Sequence, residues 1–206
     1  MWRVGKSVQK YRNDPDWHSY RTREPDDWLT QFGFPGHPFG TFRNHIHHVL
    51  EGQVRGYPTT LFHLAGVRKG GRYGTLVNTY SVAVLTLPTT FPDTSVSVGT
   101  LVYRLRNAPL PPDAGTPTHL SAGRNPRMIK CSIDPAFAEL VITEPVVRIT
   151  VGAKMGWRLH RNHMLGWLKD RKPYEKVVSL AETMTDILAE FPASAGAWEI
   201  RDGRHG

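Results

Sequence analysis

Histidines crowd one short stretch of this chain. His45, His47 and His48 fall within four positions, with His37 before them and His63 after. On a strand, alternate residues share a face, so His45 and His47 would offer two nitrogen ligands to a metal ion that took a third from elsewhere. The spacing lacks an H-E-x-x-H pattern, no cysteine accompanies it and Glu51 is the one acid nearby, so a polar strand edge also accounts for it. A second cluster lies further on, where His160 and His163 stand among Lys154, Arg158, Arg161, Lys169, Arg171 and Lys172, with Trp157 and Trp167 interleaved. Cations for phosphates and rings for stacking are the chemistry of a non-specific nucleic-acid or anion-binding surface. Two tryptophans ten residues apart across a hairpin would serve equally as a cross-strand pair in a core.

Other chemistries leave no trace. No G-x-S-x-G surrounds a serine, and Ser121-Ala122-Gly123 sits in an irregular stretch without that context. Arg68-Lys69-Gly70-Gly71-Arg72 is basic and glycine-rich, but it lacks the G-x-x-x-x-G-K-[ST] order of a phosphate-binding loop and reads as a hairpin turn. Asp14/Asp16 and Asp26/Asp27 flank prolines and tryptophans in two similar devices, where helix starts explain the acids. Cys131 is the single cysteine, which excludes an intrachain disulfide and a cysteine-based zinc site and suits a buried, inert thiol. The expectation is a protein with no catalytic residues, no cofactor, no metal and no small-molecule substrate: not an enzyme.

The elements that must hold these side chains can be read from periodicity. The chain has 206 residues, 39% of them hydrophobic, with 16 prolines and 19 glycines, enough for one domain with a real core and many turns. Residues 1–40 form an aromatic and proline-rich N-terminal arm, in which Val4, Val8 and Tyr11 have helical spacing. Residues 41–192 form a single domain, and 193–206 a flexible tail. The spine is residues 49–92. There, strands over 42–50 and 59–64 meet a long strand over 76–87, apolar on both faces and therefore central. In the first of these, Ile46, His48 and Leu50 are expected to share a face. Gly52 and Gly56 mark bends, and Pro88 ends the central strand because proline cannot donate to a ladder. Short strands follow at 96–98 and 101–105. Residues 107–126 carry so many prolines and glycines that they read as an excursion loop. A strand over 128–133 leads to a short helix begun by Asp134-Pro135. Residues 144–151 suit either a strand or a helix, and 156–167 a hairpin turning near Arg161-Asn162. The clearest helix runs over 173–191, with Val177, Leu180, Met184, Ile187 and Leu188 on one stripe. Strands followed by helices without alternation predict an α+β fold, a meander-like antiparallel sheet with the C-terminal amphipathic helix and the short helix packed on one face.

Three stretches carry a family resemblance: N-x-x-x-x-V-L-E-G-x-x-x-G leading into Leu61-Phe62; Val82-Ala83-Val84-Leu85-Thr86-Leu87-Pro88 with Phe91-Pro92 and the Val96/Val98 pair; and Ile133-Asp134-Pro135-Ala136-Phe137-Ala138 with the 157–167 segment and the closing Phe191-Pro192. On these the chain, over roughly residues 35–192, resembles a family of uncharacterised actinobacterial proteins that often carry an N-terminal membrane segment. It departs from them at His63-Leu64, where an acid and an aromatic are usual, and in its longer proline-rich loop. The resemblance implies work near the inner face of a membrane and brings no activity with it.

The net charge of +8 permits an anionic partner, whether membrane, nucleic acid or acidic protein, without choosing among them. No window approaches the roughly 20 apolar residues of a membrane span, and the first residues lack the apolar core of a signal peptide, so the expectation is a cytoplasmic protein. Together these features predict a non-enzymatic binding or scaffold protein with a protein partner or a second copy of itself. The alternative is a nucleic-acid-associated protein that binds through the 154–172 segment.

Overall fold

The structure, a computed structural model, describes residues 2–20, 29, 32, 43–69, 75–98, 118–120 and 128–198. The second Pro-Trp device, the 33–40 loop, the 70–74 turn, the strand expected at 101–105, most of the proline-rich loop and the end of the tail lie outside them. In chain order the elements are α1 (Trp2–Arg12), β1 (His18–Tyr20), β2 (Arg43–Val54), β3 (Tyr57–Lys69), β4 (Thr75–Val98), β5 (Thr118–Leu120), β6 (Met128–Ser132), α2 (Pro135–Val141), α3 (Glu144–Gly152), β7 (Gly156–Lys169) and α4 (Tyr174–Ala189), closed by a 3-10 turn, Ala193–Ala197. Every pairing among the strands is antiparallel. The expected α+β class is what the chain adopts.

β2 and β3 form a hairpin whose two turn residues, Arg55 and Gly56, both have positive φ (48° and 85°). That pair of left-handed residues matches the twist of the flanking strands, and glycine takes the second position without strain. β4 is the central strand. Its first half pairs with β3 on one side, its second half with β6, and β7 runs along the other side of both halves. β1 extends the sheet beyond β2, and β5 extends it beyond β6.

The β4–β7 ribbon is sharply bent, and here two expectations change. Pro88 does not end the strand. Between Thr86 and Phe91 the register shifts, five residues of β4 passing only two of β7 (His163 to Arg161), and Pro88 stands in that gap, where no ladder hydrogen bond is asked of it. Nor is 156–167 a hairpin. Both arms pair with β4, and the chain kinks at Arg161, whose φ is 52°. The kink is severe: a Cβ on Gly156 would lie 2.3 Å from the Trp167 indole, although eleven extended residues would span about 36 Å. The ribbon folds over on itself, and only glycine leaves room at that crossing.

Each face of the sheet has its own core. Ala83, Leu85, Leu87, Phe91 and Val96 of β4 face the helices with Leu50, Leu61, Trp157, Leu159 and Met164. Tyr80, Val82 and Val84 point the other way, with Ile46, Val49, Phe62, Leu64, Leu165 and Trp167, and Leu29 and Phe32 cover them. The apolar alternation expected along the central strand is present. In β2 the alternation breaks, because a bulge between His47 and Leu50 puts His48 at φ 55°. Ile46 and Leu50 therefore end on opposite faces, contrary to the simple alternate pattern, since an extra residue shifts the phase of every side chain after it.

The helices pack on the first face. Phe137 and Val141 of α2, Val146 of α3, and Val177, Leu180, Met184 and Ile187 of α4 join its core, as do Val8 of α1 and Trp17. Asp134 caps α2 by accepting from the Phe137 N–H at 3.1 Å, and its other oxygen accepts from the Trp198 indole at 3.0 Å. Residues 144–152 resolve as helix α3. Buried Thr150 satisfies its hydroxyl on the Val146 carbonyl (2.8 Å) and accepts from the Trp157 indole (2.9 Å). The stretch Asp14-Pro15-Asp16-Trp17 ends a helix rather than starting one: the Asp14 carboxylate accepts from the Asp16 N–H and its carbonyl from the Trp17 N–H, a local side-chain turn that competes with helix.

Candidate functional site

The basic residues of 154–172 occupy three stations along β7. Lys154 is exposed in the turn before the strand, with φ 51°; Arg161 is exposed at the kink; Lys169, Arg171 and Lys172 lie at the strand's end and in the linker to α4. Arg158 is fully buried, its guanidinium donating to the Phe32 carbonyl at 3.0 Å, so it does not face solvent. Lys172 lies 3.8 Å from the Asp170 carboxylate. Trp157 and Trp167 are buried on opposite faces of the sheet. They are neither stacking platforms nor a cross-strand pair, because each pairs with β4 and the kink changes the phase between them.

The first histidine cluster assembles differently from its spacing. His45 is exposed. The His48 ring lies 6.3 Å from His47 and 6.2 Å from His63, and His63 meets Tyr174 edge-on at 4.8 Å. The bulge at His48 turns this side chain toward β3, and the Tyr174 hydroxyl donates to the His48 carbonyl. His63 is fully buried, with Nε2 2.8 Å from the Lys172 carbonyl. Burial pushes its pKa down to about 4 against the opposing pull of that carbonyl, and the positive charges of His48, Arg171 and His47 lower it further. His47 and His48 are also less basic than usual, first through burial and then through Arg171 and other cations nearby. A cluster kept neutral among cations serves packing at neutral pH. Among the described residues no group of three or more His, Cys, Asp or Glu side chains is placed to hold a metal ion.

Beside this cluster, α1 and α4 are joined through Ser7. Pro173 precedes α4 and supplies no side-chain cap. The Ser7 hydroxyl fills the role from another helix, accepting from the Tyr174 N–H and donating to the Glu175 carboxylate, both at 2.6 Å. That hydrogen bond is the main reason Glu175 stays more acidic than usual.

The second histidine pair leads to the most polar part of the interior. His160 is buried and its Nδ1 lies 2.8 Å from the Asp93 carboxylate, which is nearly as buried. Asp93 was absent from the residues singled out by sequence. The signal for it was the run Asp93-Thr94-Ser95-Val96-Ser97, with a polar residue at every other position of a strand. Ser95 and Ser97 are buried beside it, as is Cys131 across from Ser95. Burial holds the Cys131 thiol at a pKa of about 11, so it is inert, as its strand context implied. Next to this row, Thr94 and Ser132 exchange a hydrogen bond at 2.8 Å, and Ser132 also reaches the Asp93 carbonyl at 3.2 Å.

No family model matches the chain, and no curated protein matches it. A solved structure does: the crystal structure of the mycobacterial trehalose monomycolate transport factor A, TtfA, is similar with a TM-score of 0.60 and 11% sequence identity, covering 93% of this chain and 98% of that one. At that identity the likeness is one of fold. The neighbour is actinobacterial, as are the proteins the sequence resembles. Among the described residues no helix is long and apolar enough to cross a membrane.

Proposed function

We propose that this chain is a non-enzymatic accessory or scaffold protein, acting through a protein partner or a second copy of itself in a transport process at the inner face of a membrane. The observation that carries this reading is the extent of the fold match. It takes in nearly the whole of both chains, so the likeness extends over the fold as a whole to a protein named as a transport factor. Fold alone does not transmit function, but the site chemistry agrees. Burial makes His47, His48 and His63 less basic than usual, the buried lone thiol is held protonated, and the sequence carries no nucleophile motif. The nucleic-acid reading is weaker, because Trp157, Arg158 and His160 of its proposed surface lie in the interior, leaving scattered lysines and arginines as an ordinary basic exterior.

The test is photo-crosslinking in the organism that encodes the chain, with the reactive group at exposed Lys169 or Ile133, paired with deletion of the gene. The expected result is a discrete adduct to a membrane transport protein and a change in an exported lipid on deletion. A chain that forms no adduct and whose loss leaves lipid export unchanged would overturn the reading.

A further inference from the structure

On the sheet face away from the helices, the second half of β4 and the first half of β7 carry a row of polar side chains in place of a core. Ser95 lies directly across from Arg158 and Ser97 from Gly156, and alternate residues Asp93 and His160 continue the row through their hydrogen bond. Asp93, Ser95, Ser97, Arg158 and His160 are each no more than 8% exposed. The kink at Arg161 restores the phase, so that His163 also faces this side. Burial and the neighbouring charges of His160 and Arg161 lower its basicity.

Four side-chain atoms on this row are buried without a hydrogen-bond partner: Ser95 Oγ, Ser97 Oγ, His160 Nε2 and His163 Nδ1. Leaving such a group unmet forfeits the hydrogen bonds it made to water in the unfolded chain, and native interiors keep few of them. Four along one ribbon mark an incomplete hydrogen-bond network. Its chemistry says what completes it. With Nδ1–H donating to the Asp93 carboxylate, the ring of His160 turns Nε2 into the row, an acceptor whenever the imidazole carries one proton, while each serine hydroxyl both donates and accepts. An oxyanion brings only acceptors and would meet the His160 lone pair unfavourably. An ammonium group brings only donors and would sit beside the Arg158 guanidinium. A hydroxyl group satisfies every member.

We propose that this row binds the hydroxyls of a polyol, a sugar or a sugar headgroup, between the second half of β4 and the first half of β7. Phe32 closes the row in the present structure, its ring edge-on to His163 at 5.0 Å and its carbonyl held by Arg158, so entry requires that residue to move aside. The inference goes beyond the scaffold reading and does not rest on it, since a scaffold needs no polyol.

The test is titration calorimetry and saturation-transfer NMR on the full chain, with trehalose and myo-inositol as probes and inorganic phosphate as the contrasting arm. The expected result is saturable binding of at least one polyol, weakened about tenfold or more, roughly 1.4 kcal/mol, in the Ser95→Ala/Ser97→Ala double variant, with phosphate failing to compete. Should that variant not fold, His160→Gln takes its place with the same expectation. Absence of saturable polyol binding, equal binding by the folded variant, or preferential binding of phosphate would each overturn the proposal. So would a high-resolution crystal structure, grown with saturating polyol, in which ordered waters alone satisfy the four atoms.

Discussion

The two faces of the sheet solve the same burial problem in different ways. Toward the helices, Phe137, Leu159, Met164 and Met184 interdigitate, and most of the polar groups among them find partners, Thr150 with Val146 and Trp157 and Thr94 with Ser132, while His63 Nδ1 and Thr143 Oγ1 stay unmet. Away from the helices, half of the face is apolar around Phe62 and Leu64, while the other half holds the Asp93–His160 pair and unmatched serines. The first arrangement is what stability alone selects. The second sacrifices hydrogen bonding in the interior, and sites that break a packing rule without local compensation are where function is to be sought.

Substitutions distinguish the two faces. The largest effect is expected from Phe137→Ala on the helix side, where a fully buried ring stacks on Phe91 at 5.7 Å. It should cost about 4 kcal/mol in urea unfolding, and a loss below ~1 kcal/mol would mean that this face is not the main core. Gly156→Ala tests the fold-over of the ribbon, because its methyl group would enter the Trp167 ring. A destabilisation of about 3 kcal/mol is expected, and thermal melts showing none would place the two ends of β7 apart.

Acid should act through the histidine cluster that joins β2, β3 and α4. Below pH 6.5 the unfolded chain takes up a proton at His63 that the folded chain refuses until about pH 4. Stability from this group is therefore complete above pH 6.5 and is lost as pH falls across that window, by about 3 kcal/mol at its acid end. His47 and His48 shift in the same direction, and the nearby charges from α1 and the linker, Arg12 and Arg171, are cationic. Urea midpoints at pH 7.5 and pH 4.5 measure the loss, and His63→Gln should flatten most of it. Smaller again is Ser7→Ala, which removes a helix cap supplied from α1 and should cost about 1 kcal/mol while raising the Glu175 pKa toward its ordinary value, a change NMR titration can follow. The smallest effect is expected at Ser95→Ala. Removing an unmatched buried hydroxyl should lower stability by no more than about 0.5 kcal/mol and can raise it, and a larger loss would show that Ser95 has a structural partner.

Much of this architecture could be read from local patterns. The stripe of Val177, Leu180, Met184 and Ile187 and the Asp134-Pro135 start dictated α4 and α2, because cap and period act within a few residues. The central strand declared itself by apolar residues on both of its faces. Chemistry was harder to locate. The spacing of His45 and His47 puts them on one face, and the register is unbroken across them, but the rings that gather are those of His47, His48 and His63, since a single extra residue at His48 re-aims the strand. The basic 154–172 segment gave no warning that Arg158 points inward.

What the sequence determined by itself is therefore the class of fold, the stripe by which α4 buries itself and the buried thiol of Cys131, all consequences of short-range periodicity and composition. Tertiary structure alone decided the kink of β4 against β7, the phase change at His48 and the meeting of Asp93 with His160. These depend on register between segments dozens of residues apart, where a shift of one position exchanges the two faces of a strand. No pattern within a single segment records that choice.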